Sequence, residues 1–221
     1  MSRPDRVERE TLRYLGYGGK WEKEADGAVR ELIASCVKEL KSAAEPVHLC
    51  REYPLILGKP GVIDCGCFQT ESLHLYRNLQ DCERVLLFAA TLGVGADNLL
   101  RRYGRLQMSR AVVIQAAAAA LLEEYCDEQC RRLRESCKMQ GWYLRPRFSP
   151  GYGDFPLSCQ PELLDALEAG KRIGIKLTDS FLMLPSKSVT AVMGLGRRPQ
   201  HCTVKGCEAC GKTDCLYRRD G

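Results

Sequence analysis

Arg147-Phe-Ser-Pro-Gly-Tyr152, followed further along by Ile173-Gly-Ile-Lys-Leu-Thr-Asp-Ser-Phe-Leu-Met-Leu-Pro185 and then by Ser188-Val-Thr190, says most about this chain's fold and chemistry. The Pro-Gly step predicts a tight turn. Arg147 stands before that turn and Tyr152 behind it. Gly151 has no side chain, so a ligand can approach its backbone closely. Arg147 offers a rigid fork suited to a carboxylate. Tyr152 offers a flat face and a hydroxyl. Together they suit a small zwitterion carrying an aromatic base; the same residues also suit a plain structural turn.

Working outward, the flanking elements mix helices and strands without a regular βαβ repeat or an internal repeat. Asp26 to about Ala44 reads as an amphipathic helix, with Val29, Leu32, Ile33, Cys36, Val37 and Leu40 at helical spacing, Asp26 as N-cap and Pro46 as the stop. His48 to Leu57 and Val62 to Phe68 read as strands around a Gly58–Gly61 turn, with a short helix over Thr70 to Leu79. The apolar run Arg84 to Thr91 is a buried strand or the start of a buried helix. Gly93-Val-Gly95 lacks a third glycine and reads as a helix-entry turn rather than a phosphate loop, leading into a helix over Asp97 to Tyr103. One long helix is predicted from Met108 to about Met139, with small residues at Ala116–Ala120 that admit close packing. Pro161 to Ala169 is predicted helical and closed by Gly170. Ile173 to Leu177 and Lys187 to Leu195 read as strands. The fold class is therefore α+β.

Composition sets the outer limits. The chain has 221 residues, 45% hydrophobic and 28% charged, with a net charge of +5. That suits a globular protein and does not call for nucleic acid as a partner. The pairs Arg101-Arg102 and Arg131-Arg132 read as solvated helix faces. Met1 to Glu10 is polar and charged, and no apolar run reaches the roughly 18 residues of a membrane helix. A cytoplasmic protein without a membrane partner is expected. Thirteen cysteines is a high count, but an odd number in a chain of this type argues against a disulfide scaffold.

The order Arg-x-x-Pro-Gly-Tyr, Gly-x-Lys-Leu-Thr-Asp-Ser and Met-x-Pro-x-x-Ser-Val resembles the activation domain of cobalamin-dependent methionine synthase. The match runs from Arg147 to about Ala191 and is weaker over the preceding helix. Leu12-Arg-Tyr-Leu-Gly-Tyr17 and Leu86-Leu-Phe-Ala-Ala-Thr-Leu-Gly93 resemble standalone bacterial relatives. The resemblance implies a twisted, mostly antiparallel sheet flanked by helices over residues 1–200. It also implies binding of S-adenosylmethionine. Arg147 would hold the methionine carboxylate, Ser149 and Gly151 would contribute backbone groups, and Tyr152 would contact the ligand. Ser149 stands where the family commonly has alanine, which preserves backbone contacts. Glu123, or failing that Glu124, would meet the amino group. A family tyrosine falls near His201, leaving that contact open. Thr178, Asp179 and Ser180 read as a strand end and turn that fix the loop, while Lys187 and Ser188 are candidates to face the same cleft.

The implied function is reactivation. The chain would hold S-adenosylmethionine over the cobalamin of a methionine synthase module, while an electron donor such as flavodoxin or ferredoxin reduces cob(II)alamin. No corrinoid-, folate- or homocysteine-binding module fits in the remaining length. No side chain need act as acid or base, so no catalytic residue is assigned. A reactivator of another corrinoid methyltransferase, or an interaction module with a vestigial cleft, are the alternatives.

A second constellation is the tail over residues 201–221, which the resemblance does not cover. Cys202, Cys207, Cys210 and Cys215 can close around one zinc ion or a [4Fe-4S] cluster. Cys65, Cys67, Cys126, Cys130 and Cys137 read as small core residues. His48, His74 and His201 form no triad-like pattern with a nucleophile.

Overall fold

The computed structural model describes residues 5–17 and 25–199. In chain order the helices are α1 (Arg6–Tyr14), α2 (Gly27–Ala43), α3 (Leu73–Leu79), α4 (Val94–Leu106), α5 (Met108–Met139), α6 (Gln160–Ala166) and α7 (Ala169–Arg172). The strands are β1 (Val47–Pro54), β2 (Ile56–Leu57), β3 (Val62–Asp64), β4 (Gln69–Glu71), β5 (Cys82–Thr91), β6 (Tyr143–Leu144), β7 (Lys176–Leu177), β8 (Met183–Leu184) and β9 (Ser188–Gly196). They divide into two compact units: one holds the described residues up to Glu45 together with Val94–Tyr125, the other Pro46–Gly93 and the described residues from Cys126 onward.

The first unit is helical. Asp5 caps α1, accepting from Glu8 N at 2.8 Å, while the Glu8 carboxylate accepts from Asp5 N, a capping box. Asp26 caps α2 as expected, accepting from Val29 N at 2.8 Å. Ile33, Cys36, Val37 and Leu40 form its buried stripe. Glu39 ties three helices together. It accepts from Tyr103 Oη on α4 at 2.9 Å and from Arg110 Nη2 on α5 at 2.8 Å. Burial pushes the Glu39 carboxyl up, but these two donors outweigh it and hold the group below its usual range.

Gly95 lets α4 enter against the end of α2. A Cβ there would collide with the Ala43 carbonyl oxygen. Gly93-Val-Gly95 is thus a helix entry, as its two-glycine pattern suggests.

The second unit carries a four-stranded antiparallel sheet in the order β1-β5-β9-β6. The run Arg84 to Thr91 is its central strand, buried from Val85 onward. Alternation along β1 sorts the two faces. On one face Arg51 Nη1 and Tyr53 Oη both donate to the Ala166 carbonyl of α6, at 2.7 and 2.8 Å. A core of Leu75, Leu79, Val85, Leu87, Ala89, Val192, Phe155, Leu163 and Leu167 lies on that side. On the other face His48 stacks on Phe88, and burial followed by the Arg132 charge of α5 lowers the His48 pKa. There Cys130 of α5 lies 3.8 Å from Met193, sulfur to sulfur. Small sheets β2-β3-β4 and β7-β8 complete the unit.

The α+β class with an antiparallel sheet agrees with the sequence reading; several element boundaries do not. The predicted strand Val62 to Phe68 ends at Asp64, because Gly66 turns the chain at φ +74° and Asp64 Oδ1 accepts from Gly66 N. The predicted helix from Thr70 starts only at Leu73, since Gln69–Glu71 pairs with β3. Gly170 does not close the helix after Pro161. Glu168 takes the left-handed position, φ 53°, and Gly170 lies inside α7. The strand predicted from Ile173 is confined to Lys176–Leu177, after Gly174 at φ +71°. The short elements α1, β6 and β8 carry too few periodic residues to stand out. Cys65, Cys126 and Cys130 are buried and Cys67 and Cys137 half-buried, and none of them is disulfide-bonded. Arg101, Arg102, Arg131 and Arg132 are exposed, and Arg131 and Arg132 pair with Glu128 on their own helix.

Glycine-to-alanine inside a helix ordinarily stabilises by about 1 kcal/mol. Gly95→Ala is expected to do the opposite, because overpacking against a backbone oxygen costs about 1–3 kcal/mol. Urea unfolding of the two proteins checks the sign.

Candidate functional site: the Arg147–Phe155 loop

The chain leaves β6 and runs along the outer edge of β9. Arg145 N donates to the Gly194 carbonyl at 2.8 Å, and Phe148 and Val192 exchange both backbone hydrogen bonds, at 3.0 and 2.8 Å. Arg147 therefore projects from backbone held on both sides. It lies on the opposite side of the strand from Phe148, whose ring packs against the core.

Pro150 and Gly151 form the predicted turn. Tyr152 N donates to the Ser149 carbonyl at 3.1 Å, with Pro150 second and Gly151 third at φ +85°. Proline then a positive-φ glycine is the pattern of a type II turn. A Cβ on Gly151 would lie 3.3 Å from Leu157 Cδ1. Gly151 N donates to the Phe155 carbonyl at 2.8 Å, and Phe155 N donates to the Tyr152 carbonyl at 3.1 Å. Two turns thus lock together, and the Gly151 N–H is already committed within the loop. Phe155 is 1% exposed and lies in an aromatic row between Phe148 and Phe68, with centroids at 6.3 and 6.5 Å. Tyr152 is 69% exposed, with its ring meeting Phe148 edge to face at 5.4 Å. Its flat face is accessible.

Asp154 ties the loop to α3. Its carboxylate accepts from the Ser72 hydroxyl, from Leu73 N at 2.7 Å and from His74 N at 3.1 Å. These are backbone N–H groups in the first turn of α3, which lack intrahelical partners. The Ser72 hydrogen bond, followed by the two backbone donors, holds the Asp154 carboxyl below its ordinary value.

Arg147 makes an ion pair that the sequence pattern does not reveal. Its Nη2 lies 3.0 Å from Oδ1 of Asp127 on α5, with the side chains 18% and 39% exposed. The signal for Asp127 is its place four residues after Glu123, which puts the two on one helix face. Glu123 and Glu124 are both half-buried on α5. Arg147, Ser149, Gly151 and Tyr152 are brought together in one loop.

Thr178, Asp179 and Ser180 form the turn between β7 and β8, as expected. Thr178 Oγ1 accepts from Leu182 N at 3.1 Å and pairs with Ser180 Oγ at 3.0 Å. The Lys187 carbonyl accepts from Leu92 N, and Ser188 Oγ lies 2.8 Å from Thr91 Oγ1 and 2.7 Å from the Pro185 carbonyl. These contacts bind β9 to the end of β5. Among the described residues no group of three or more His, Cys, Asp or Glu side chains could hold a metal ion. Cys202, Cys207, Cys210 and Cys215, with His201, lie outside the described residues. No helix among the described residues is long and apolar enough to cross a membrane.

Residues 77–218 match the family described as the activation domain of vitamin B12 dependent methionine synthase, and the chain belongs to that family. A solved structure titled the MetH reactivation domain bound to AdoHcy is similar in fold. It has a TM-score of 0.62 and 17% identity, and the match covers 89% of this chain and 76% of that one. No curated protein sequence matches.

The Asp154 tether makes the loop acid-sensitive. The folded pKa is depressed, so its contribution is present above the ordinary carboxylate value of about 3.9 and is lost as pH falls below it. Asp154→Asn is expected to flatten this acid limb, read by hydrogen exchange of the Leu73 and His74 amides between pH 6 and pH 3.

Proposed function

We propose that this chain binds S-adenosylmethionine at the Arg147–Phe155 loop and serves the reductive methylation of cob(II)alamin on a cobalamin-bearing methionine synthase module. The observation that carries this reading is the loop itself. A half-buried guanidinium, a glycine turn with no side chain in the way and an exposed tyrosine face stand within nine residues of chain, inside the region that matches the activation family. The donor set fits the ligand. Arg147 suits the methionine carboxylate, and Tyr152 offers its ring to the ligand beside it. Gly151 contributes its carbonyl, since its N–H is engaged by the Phe155 carbonyl, and Ser149 contributes backbone groups. Glu123 as a contact of the amino group rests on the family resemblance alone.

S-adenosylmethionine supplies the methyl group, and a donor such as flavodoxin or ferredoxin supplies the electron. This chain's own residues bind and orient the sulfonium ligand. Their contribution is proximity, which in well-aligned reactions replaces a bimolecular encounter. A loop fixed at β9, at the aromatic core and at α3 provides the rigidity that orientation needs.

Arg147→Ala should weaken S-adenosylmethionine binding by about 2–5 kcal/mol, the usual cost of truncating one side of a buried charge pair. It should also slow methylation of the partner's cob(II)alamin under reducing conditions. Calorimetry decides the first point, and equal affinities would sink the assignment.

The cysteine tail is proposed as a separate metal site, on the spacing of Cys202, Cys207, Cys210 and Cys215. Protein purified without oxygen should carry about one zinc ion or a brown iron–sulfur chromophore. Removing residues 202–221 should abolish the metal and spare S-adenosylmethionine binding. Elemental analysis finding neither iron nor zinc would end this proposal.

A further inference from the structure

We infer that Asp154 is a positioning residue for the ligand: by latching the loop to α3 it sets the direction of the Tyr152 ring. The inference deepens the S-adenosylmethionine reading above and rests on it. Tyr152 stands between two glycines in left-handed backbone, Gly151 at φ +85° and Gly153 at φ +59°. Its N–H and its carbonyl are both used inside the loop, toward Ser149 and Phe155, at 3.1 Å each. The ring is 69% exposed and meets Phe148 edge to face. Packing on so open a ring holds it weakly, so its direction is set by the backbone that carries it.

Beyond Tyr152 the chain is pinned to α3. A Cβ on Gly153 would come within 2.5 Å of His74 Nδ1, so this backbone lies directly against the helix start. The Asp154 carboxylate then accepts from the Ser72 hydroxyl, from Leu73 N at 2.7 Å and from His74 N at 3.1 Å. His74 Nδ1 stands 3.7 Å from the same carboxylate. The point it grips is itself fixed. Ser72 is buried, its N–H donates to the Gly61 carbonyl at 2.9 Å, and its Oγ accepts from Leu75 N at 3.0 Å.

The loop is thus held at its entry by the Phe148–Val192 bridge and at its exit by Asp154, with Tyr152 between them. Phe155 also sinks into the core at the exit, an apolar contact that fixes depth. The hydrogen bonds of Asp154 fix orientation, because charge-assisted bonds are directional. Without the carboxylate, the first-turn N–H groups of α3 turn to water, and Gly153 is free to rotate as only glycine can. Tyr152 then samples several directions. A ligand that uses its ring must select one of them, and the ordering lowers affinity.

The test is a double-mutant cycle on the full chain, read by calorimetry with S-adenosylhomocysteine. Asp154→Ala is expected to weaken binding roughly 2- to 10-fold, the cost of re-ordering one side chain. In a Tyr152→Ala background the same change should matter by less than about twofold, since no ring is left to position. Combined with Arg147→Lys the two losses should multiply, because Arg147 is held from β9. Asp154→Asn keeps an oxygen acceptor for the Leu73 and His74 amides and should restore part of the affinity. Hydrogen exchange supplies a readout without ligand. Asp154→Ala should speed exchange of the Tyr152 and Phe155 amides and leave those of Phe148 and Val192 unchanged, which also reports an intact sheet. Independent losses for Asp154 and Tyr152, or loop amides that keep the wild-type rate, overturn the inference and make Asp154 a helix cap alone. If Tyr152→Ala and Arg147→Lys both bind as wild type does, the reading of the loop as the ligand site fails and takes this inference with it, a result distinct from the other two.

Discussion

The reciprocal backbone pairing of Phe148 with Val192 is the constraint on which the candidate site depends. One bridge, at 3.0 and 2.8 Å, joins an otherwise irregular segment to the edge of β9. β9 is buried from Thr190 through Gly196 and paired along its length with β5. The segment therefore inherits the rigidity of the sheet without being a full strand. Because side chains alternate along extended backbone, fixing Phe148 against the core also fixes the direction of Arg147. A one-residue slip would turn the arginine inward and the phenylalanine out.

From that anchor the loop is built by satisfying its own backbone. The carbonyls of Ser149, Tyr152 and Phe155 each accept from within the loop. Asp154 then uses its carboxylate to complete the first turn of α3. The loop and the helix end thus complete each other. Gly151 and the Tyr152 ring stay exposed. A rigid frame that leaves one face open is what a binding loop requires.

The helical unit uses another device. There a single carboxylate, Glu39, gathers donors from two other helices, and a glycine lets α4 enter beside the end of α2. Burial alone would raise the Glu39 carboxyl, but the Tyr103 and Arg110 donors reverse that, so the charge is retained. Such a half-buried ionic knot selects one arrangement of helices more surely than apolar contact, which tolerates sliding.

Local rules read much of this chain correctly. The Pro150-Gly151 turn, the Asp26 cap, the Gly93–Gly95 helix entry and the long α5 all follow from residues close in sequence, because turn geometry, capping and periodicity are short-range, whereas the apolar run of β5 fitted a strand or a helix start until pairing decided it. The family signature lies in the same kind of local run, so Arg147, Ser149, Gly151 and Tyr152 are legible as site candidates in the amino-acid order alone. Boundaries failed where a partner distant in sequence or a backbone conformation overrode propensity. Gln69–Glu71 is a strand because β3 lies beside it, and Glu168 rather than Gly170 takes the left-handed position at a helix end whose Ala166 carbonyl accepts from Arg51 and Tyr53. The partners of the site were hidden for the same reason. Asp127 meets Arg147 across 20 positions and Asp154 meets Ser72 across 82. The identity of the charged and turn-forming residues is written in the chain, but which charges face one another is decided only when the sheet and its helices bring distant segments together.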